Sequence, residues 1–464
     1  MIGFSFGPLI SLVIGFLTVP IITRIVTPAE YGYGVLFLIT TNLIFIISSL
    51  GMDQSFIRYY YEEKNKLKLF IQCIKISLFG GILISIILLI FKDYIINLFF
   101  ENLLLKEQIL IYICLILSIF INTFFRFFQL VIRMEQKGAL FSLIQIGLKS
   151  FEIIFFFIFL NIFSNHIFAL VLSQIINITL VLILLYPTVY KLLFKSTHDI
   201  KNSFKDSFKD RQKIKKMIKY GFPFIGTLLL AWSFQFIDRT LLSLLSNSEQ
   251  VGLYSSAFKI SSLLVSIQVI FTTYWVPIVL KKVNSSNIKD FLLKSLNTIT
   301  PIVILIGLLL TFLKEKIVNL FGGEFAEASV LIPFVLAFPI MYTISEITSI
   351  GILIGKKTIY NLYINLITLI IGILLNYNLI QYYGAVGAAI GTSIIYLVFY
   401  ILRTIYGLKS FRFDINKSHY TMIGLFYLSI FYDLYFRLNS FIEFLVVFCI
   451  FLIILVFNLK SLRS

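Results

Sequence analysis

The sequence predicts an all-α integral membrane protein of about fourteen transmembrane helices, and three observations carry that reading. Of its 464 residues, 59% are hydrophobic and only 13% are charged, with a mean hydropathy of +0.97; a surface facing water needs far more charge than this. Apolar runs long enough to cross a hydrocarbon core about 30 Å thick as helices recur from end to end. The lysines and arginines between those runs concentrate on alternate connections, as a polytopic bundle of fixed orientation requires.

The first run, roughly residues 3 to 23, has no basic leader or small-residue cleavage site and contains Gly7, Pro8 and Pro20. It reads as helix one and not as a removable signal. Helices two to six follow over about 34 to 54, 69 to 91, 107 to 132, 139 to 160 and 166 to 190. The segment from Lys195 to Lys219 is the longest polar stretch. Basic, and free of Pro and Gly, it reads as a linker that lies at the interface with its lysines near anionic headgroups. Helices seven to fourteen are expected near 217 to 244, 252 to 279, 293 to 313, 329 to 354, 359 to 379, 385 to 405, 419 to 436 and 441 to 459.

With the amino terminus inside, 28 of the 39 lysines and arginines fall on cytoplasmic connections, 6 fall on the opposite side and 5 lie within spans. Both termini are therefore expected in the cytoplasm. The formal charge of +17 then encodes orientation and gives no reason to expect a nucleic-acid partner.

Shifting the chain by about 220 residues brings punctuation into register. Gly7-Pro8 falls near Gly221 to Pro223, Glu30 to Gly34 near Glu249 to Tyr254, Lys137 on Lys357, and Ala169 and Ser173 on Ala389 and Ser393. This is an internal repeat of six helices, and an even number makes the halves parallel repeats about the membrane normal. The expected organisation is an amino-terminal lobe over 1–194, the linker over 195–219, a second lobe over 220–410, and helices thirteen and fourteen over 411–464. Two such lobes enclose a solvated cleft, and rocking them exposes it to each side in turn.

Ionisable groups at bilayer depth are costly and usually face a partner or water. Lys149 and Glu152 lie three residues apart on one helix face and are expected to pair, as a neutralised structural unit or a coupling site. Arg126 and Glu346 occupy matching repeat positions, where they either form an interlobe salt bridge acting as a gate or are separate residues satisfied by local partners. Lys75, Arg239 and Lys259 lie within snorkelling reach of membrane ends. With Arg24, Arg58, Arg126 and Lys149 they outnumber Asp238, Glu152 and Glu346, so the expected cleft is cationic and favours an anionic solute. Cys73, Cys114 and Cys449, and the scattered His166, His198 and His419, have no ligand spacing, and no cofactor or metal is expected.

The strings Ile22 to Gly34 (ITRIVTPAEYGYG), Ser55 to Glu62 (SFIRYYYE), Phe236 to Leu242 (FIDRTLL), Val251 to Ser261 (VGLYSSAFKIS) and Tyr382 to Ser393 (YYGAVGAAIGTS) together resemble the polysaccharide flippase branch of the multidrug/oligosaccharidyl-lipid/polysaccharide exporter superfamily. The resemblance covers nearly the whole chain, although the family usually has several polar residues before helix one and this chain has almost none. It implies a V-shaped bundle in a bacterial inner membrane. Its central cationic cavity would receive an undecaprenyl-diphosphate-linked oligosaccharide, the repeat unit of O-antigen, capsule or a similar polysaccharide, by alternating access. Arg24, Arg58, Asp238, Arg239 and Lys259 are the residues it points to for cavity polarity or gating. Membrane lipids, a polysaccharide polymerase and a chain-length regulator are the implied partners. An embedded polymerase or glycosyltransferase is the enzymatic alternative, and short external connections without a nucleotide loop or metal-spaced histidines count against it. A cation-coupled drug or metabolite antiporter of the same fold is the other, to which the excess of basic groups is opposed.

Overall fold

Apolar burial sets the lengths of the helices, with a capping box at the start of one and left-handed residues closing two of them. The computed structural model describes residues 2–63, 65–100, 103–163, 165–193, 211–283, 285–357 and 359–436, with Leu452. All regular structure among the described residues is helical. Helix α1 is Ile2–Thr23, α2 is Pro28–Ser48, α3 Met52–Tyr59, α4 Lys66–Ile90, α5 Lys92–Phe100, α6 Leu105–Met134, α7 Gly138–Phe163 and α8 His166–Leu193. Then come α9 Arg211–Leu245, α10 Ser248–Lys282, α11 Ile288–Phe312, α12 Lys314–Asn319, α13 Ala328–Thr348, α14 Ile350–Ile354, α15 Ile359–Ser410 and α16 Lys417–Phe436.

Ten of these helices are long and apolar enough to cross a membrane, and the protein is a multi-pass, all-helical membrane protein. The longest, α15, joins two of the expected spans: its interior is broken at Gly384, where φ is 52° and ψ is −129°. Helix α16 covers the expected thirteenth span. The expected fourteenth, 441–459, lies outside the described residues apart from Leu452, and so does the linker over 195–210. The remainder of that linker, from Arg211 to Lys219, continues into α9, since no Pro or Gly interrupts it. The short helices α3, α5 and α12 are additions to the expected set, while α14 is the end of the expected tenth span, set off from α13 at Ser349.

The string TPAE within Ile22 to Gly34 is a helix start. Thr27 Oγ1 accepts from the Glu30 N–H at 3.3 Å while Glu30 Oε2 accepts from the Thr27 N–H at 2.8 Å, and Pro28 occupies the first helical position. The expected repeat is visible in the helix ends. Gln136 and Lys356, 220 residues apart, take φ of 56° and 55°, and the following N–H groups of Lys137 and Lys357 close onto Ile132 O and Ile352 O at 3.1 and 3.0 Å. Both are the same left-handed helix stop.

The chain forms two compact units, Met1–Ile21 with Ile25–Gly252, and Ile22–Arg24 with Leu253–Ser464. The sequence places α9 with the second lobe. In the structure it belongs to the first unit, because three contacts hold it there. Gly51, with φ of 68°, and Gly221 approach so closely that a Cβ on either would enter the other's backbone. Ser55 Oγ donates to Met217 O at 2.7 Å and Trp232 Nε1 to Ile39 O at 3.3 Å. Gly32 and Gly252 repeat the device between α2 and the first turn of α10, each lying against backbone of the other helix. The interior behind α3 is aromatic: Phe56 packs edge-on against Phe127 at 5.7 Å between centroids, and both are fully buried.

At the end of α3, outside the spans, Glu135 Oε1 accepts from Tyr60 Oη at 2.6 Å and from Lys66 Nζ, whose ammonium lies 4.7 Å from the Tyr60 ring. The hydrogen bond from Lys66 first, and then that from Tyr60, holds the Glu135 carboxyl below its ordinary value of 4.5. Burial, with Glu135 beside it, pushes the Tyr60 phenol up.

In the second unit, α13 is buried along almost its whole length. Ser261 Oγ donates to its Val335 carbonyl at 2.9 Å and Trp275 Nε1 to its Glu346 carbonyl at 3.3 Å. Gly407 of α15 rests on the Thr348 backbone.

Two outcomes follow. Gly51→Ala combines a left-handed φ with a backbone collision and is expected to cost about 1–3 kcal/mol, lowering the unfolding temperature of the purified protein. Gly226→Ala, which meets nothing within 4 Å, leaves it unchanged or slightly raised. Glu135, with its depressed acid constant, stabilises the native state above the ordinary carboxylate range, and that contribution is lost as pH falls through its folded value. The melting difference between wild type and Glu135→Gln should therefore be present at pH 7 and fade as pH falls below the ordinary carboxylate range. It should be small, because Lys66 is 38% exposed.

Candidate functional site

Helices α2, α6, α7 and α8 of the first unit each carry a polar stripe in an otherwise apolar span. Asn122, Arg126 and Gln129 stand at i, i+4 and i+7 on α6, Lys149 and Glu152 at i and i+3 on α7, and Gln174 and Asn177 at i and i+3 on α8; such spacings share a helix face. The opposite faces are lipid-compatible, with Ile113 and Leu117 exposed on α6, Ile154 on α7 and Ile183 on α8. These stripes, with Thr41 and Asn42 of α2, line a cavity of about 350 Å³.

Its charged wall carries Arg126, Lys149 and Glu152, and both cations are ion-paired. Lys149 Nζ meets Glu152 Oε2 at 2.6 Å. Arg126 Nη2 meets Asp53 Oδ2 at 3.0 Å, with the Asp53 side chain 3% exposed and that of Arg126 33%. Asp53 sits in the first turn of α3, where the helix dipole favours an anion, and Gln54 Nε2 also donates to its Oδ2 at 2.9 Å. Satisfaction is incomplete: Asp53 Oδ1, Arg126 Nε and Asn177 Oδ1 are buried without a hydrogen-bond partner. Polar atoms in that condition cost free energy until something pairs with them, so the arrangement is one that an incoming polar group relieves.

A third pair belongs to the second unit. Arg403 Nη1 donates to Glu346 Oε1 at 2.8 Å and to Ser345 Oγ at 2.9 Å, and its guanidinium lies 5.2 Å from both the Tyr342 and Phe399 rings. Arg126 and Glu346 thus each hold a partner of opposite charge inside their own unit, the separately satisfied arrangement that the sequence left open beside an interlobe gate. Lys149 and Glu152 do meet each other.

The five residues expected to set cavity polarity do not line this cavity. Arg24 is exposed after α1, its Nε donating to Leu320 O at 2.9 Å. Arg58 forms a surface ion pair with Glu62, each side chain about half exposed. Asp238 and Arg239 are buried on α9, where Arg239 Nη1 donates to Gln235 O at 2.8 Å. Lys259 is half-buried on α10. Two partners are not legible as site residues in the sequence. Asp53 stands at the very end of the expected second span, and Arg403 counts among the cytoplasmic cations by hydropathy, yet its side chain is only 13% exposed. The amides Asn42, Asn122 and Gln174 carried a signal, as lone polar residues deep in apolar runs.

The fold is shared with solved structures of transport proteins. The solved structure of the lipid II flippase MurJ in an inward closed conformation is similar over 99% of this chain and 98% of its own, with a TM-score of 0.69 and 19% identity. An inward-facing multidrug resistance MATE family transporter of the MOP superfamily matches over 87% of this chain and 94% of its own, with a TM-score of 0.66 and 15% identity. A MOP superfamily transporter from Pyrococcus furiosus matches over 88% and 94%, with a TM-score of 0.57 and 14% identity. At such identities the likeness establishes the fold. None of the curated proteins matches the chain. Residues 4–283 match the polysaccharide biosynthesis protein family, and the chain belongs to that family.

Removing the guanidinium in Arg126→Ala leaves the buried Asp53 carboxylate unpaired and should cost about 2 kcal/mol. Asp53→Asn with Arg126→Gln should cost less than the two single changes together. Melting temperatures of the four proteins, taken as a double-mutant cycle, measure that coupling.

Proposed function

We propose that the protein translocates an undecaprenyl-diphosphate-linked oligosaccharide, the repeat unit of O-antigen, capsule or a related surface polysaccharide, across the cytoplasmic membrane by alternating access. Membership of the polysaccharide biosynthesis family supports this, as does a fold like that of a protein named as a lipid II flippase. The observation that carries it is the presence of two carboxylate-paired cations, Arg126 and Lys149, on the wall of a cavity among membrane helices. Groups so costly at that depth are kept where a solute uses them.

In this reading phosphate oxygens compete with Asp53 and Glu152 for the two cations, with the Arg126 fork matching phosphate geometry. Sugar hydroxyls meet the amides of Asn42, Asn122 and Gln174. The volume is at the lower end for small-molecule sites and accommodates part of a head group at a time. No bond is made or broken. The protein resides in a bacterial inner membrane with both termini in the cytoplasm, as the charge asymmetry requires, and delivers its solute to a polymerase and chain-length regulator on the far side. One observation favours a second reading: the Lys149–Glu152 pair is a titratable element on the cavity wall, and MATE transporters share the fold, so a cation-coupled antiporter of small molecules is the competing assignment.

Deletion of the gene should remove surface glycan and leave lipid-linked repeat units on the cytoplasmic leaflet, and wild-type protein should restore export. Arg126→Gln and Lys149→Gln should each lower export by roughly tenfold, the worth of one charge-assisted hydrogen bond, while Arg126→Lys retains part of it. Altered drug sensitivity with intact surface glycan would instead assign the protein to the antiporters.

A further inference from the structure

Helix α15 ends at Ser410 and α16 begins at Lys417, and residues 411–416 between them run without regular structure. The segment is nevertheless held. Phe413 is 3% exposed and anchors it to the interior. Gly407 lies on the Thr348 and Ser349 backbone, and Gly355 lies against Ser410, so the end of α15 is pinned to the α13–α14 turn and to the residues after α14. The start of α16 is fixed by the buried His419, whose Nε2 shares a hydrogen bond with Tyr400 Oη at 2.8 Å and whose Nδ1 shares one with Thr300 Oγ1 at 3.2 Å. The adjoining Tyr420 packs edge-on against that imidazole at 5.4 Å.

This fixed corner encloses a cavity of about 730 Å³ whose wall carries Lys409, Arg412, Asp414 and Tyr420, with Leu408 and Ile415 as apolar edge. Lys409, Arg412 and Asp414 are exposed, and so are Lys417 in the first turn of α16 and Lys356 and Lys357 beside Gly355. Basic residues at membrane helix ends ordinarily do no more than reach into headgroup water. A concave, braced pocket that combines an arginine, a lysine, a phenol and an apolar rim is a different object. We propose that it binds the headgroup of an anionic phospholipid. The Arg412 fork takes the two free phosphate oxygens and the Lys409 ammonium reinforces one of them, Asp414 accepts from a headgroup hydroxyl, and acyl chains leave over the apolar edge. The charge asymmetry of the sequence puts this connection in the cytoplasm, where the leaflet is anionic and basic pockets between helices recruit such lipids. The site is independent of the transported solute. It rests on the proposed orientation only for the leaflet from which the lipid comes.

The test uses the detergent-purified full-length protein, titrated with phosphatidylglycerol and with phosphatidylcholine of the same chains and followed by native mass spectrometry. Phosphatidylglycerol should be retained over phosphatidylcholine. Lys409→Gln with Arg412→Gln should weaken its binding by roughly five-fold per charge, about 25-fold in all. Lys409→Arg with Arg412→Lys should keep most of the binding, showing that charge and not folding is read, and Lys106→Gln should change nothing. Equal retention of the two lipids, or an unaffected double glutamine variant, overturns the site. Displacement by undecaprenyl phosphate at equal concentration reassigns it to the transported lipid, and displacement by glycerol 3-phosphate alone to a free phosphate; either overturns the phospholipid assignment. Labelling of Arg412→Cys by an impermeant maleimide from inside-out vesicles, and not from whole cells, supports the cytoplasmic leaflet. The reverse pattern overturns the leaflet and the proposed orientation while leaving the mass-spectrometric result to stand on its own.

Discussion

An ion in hydrocarbon must be matched close at hand, and much of this protein is arranged around that constraint. Arg126 finds Asp53, Lys149 finds Glu152, and Arg403 finds Glu346. Desolvation makes each group expensive on its own, and a pair returns that energy only with short contacts and further hydrogen bonds. The Arg403–Glu346 pair meets this condition more fully, with Ser345 and two aromatic rings around it. The pair made by Arg126 and Asp53 leaves one atom on each side unmatched. The difference is between a pair whose polar atoms are matched by its surroundings and one whose polar atoms are not.

Where ions are matched, helices must also be held near one another, and glycine does that at the backbone level. Gly51 with Gly221 and Gly32 with Gly252 bring α9 and α10 against the helices of the first unit, since contact between lipid-compatible faces gains little from hydrophobicity. The aromatic packing around Phe56 and the Ser55 bond to Met217 then fix α3, and with it Asp53. Position of the carboxylate, and hence the partner of Arg126, depends on Gly51 two residues before it meeting Gly221 far along the chain.

Much of the fold was legible because membrane helices obey local rules. Span length follows from hydropathy, and the break at Gly384 fell between two expected spans for that reason. The repeat was legible in Lys137 and Lys357 because a left-handed helix stop makes the same local demand twice. Lys149 and Glu152 were legible as a pair because three residues along a helix return to the same face. The short helices α3 and α5 were not, since a few turns of mixed polarity leave no periodic signal, and α9 packs with the first unit through contacts that no spacing announces.

The sequence by itself determined that the chain is helical, that it belongs in a membrane, and which positions on each span are polar. Those properties come from the cost of bare backbone and bare charge in lipid, paid residue by residue along the chain. Only the tertiary structure decided which charge meets which. Arg126 has no carboxylate at i±3 or i±4, so its partner had to come from another helix, and the choice of Asp53 was made by the packing of α3 against α6. Helix crossing, and not spacing, turned scattered polar residues into a cavity.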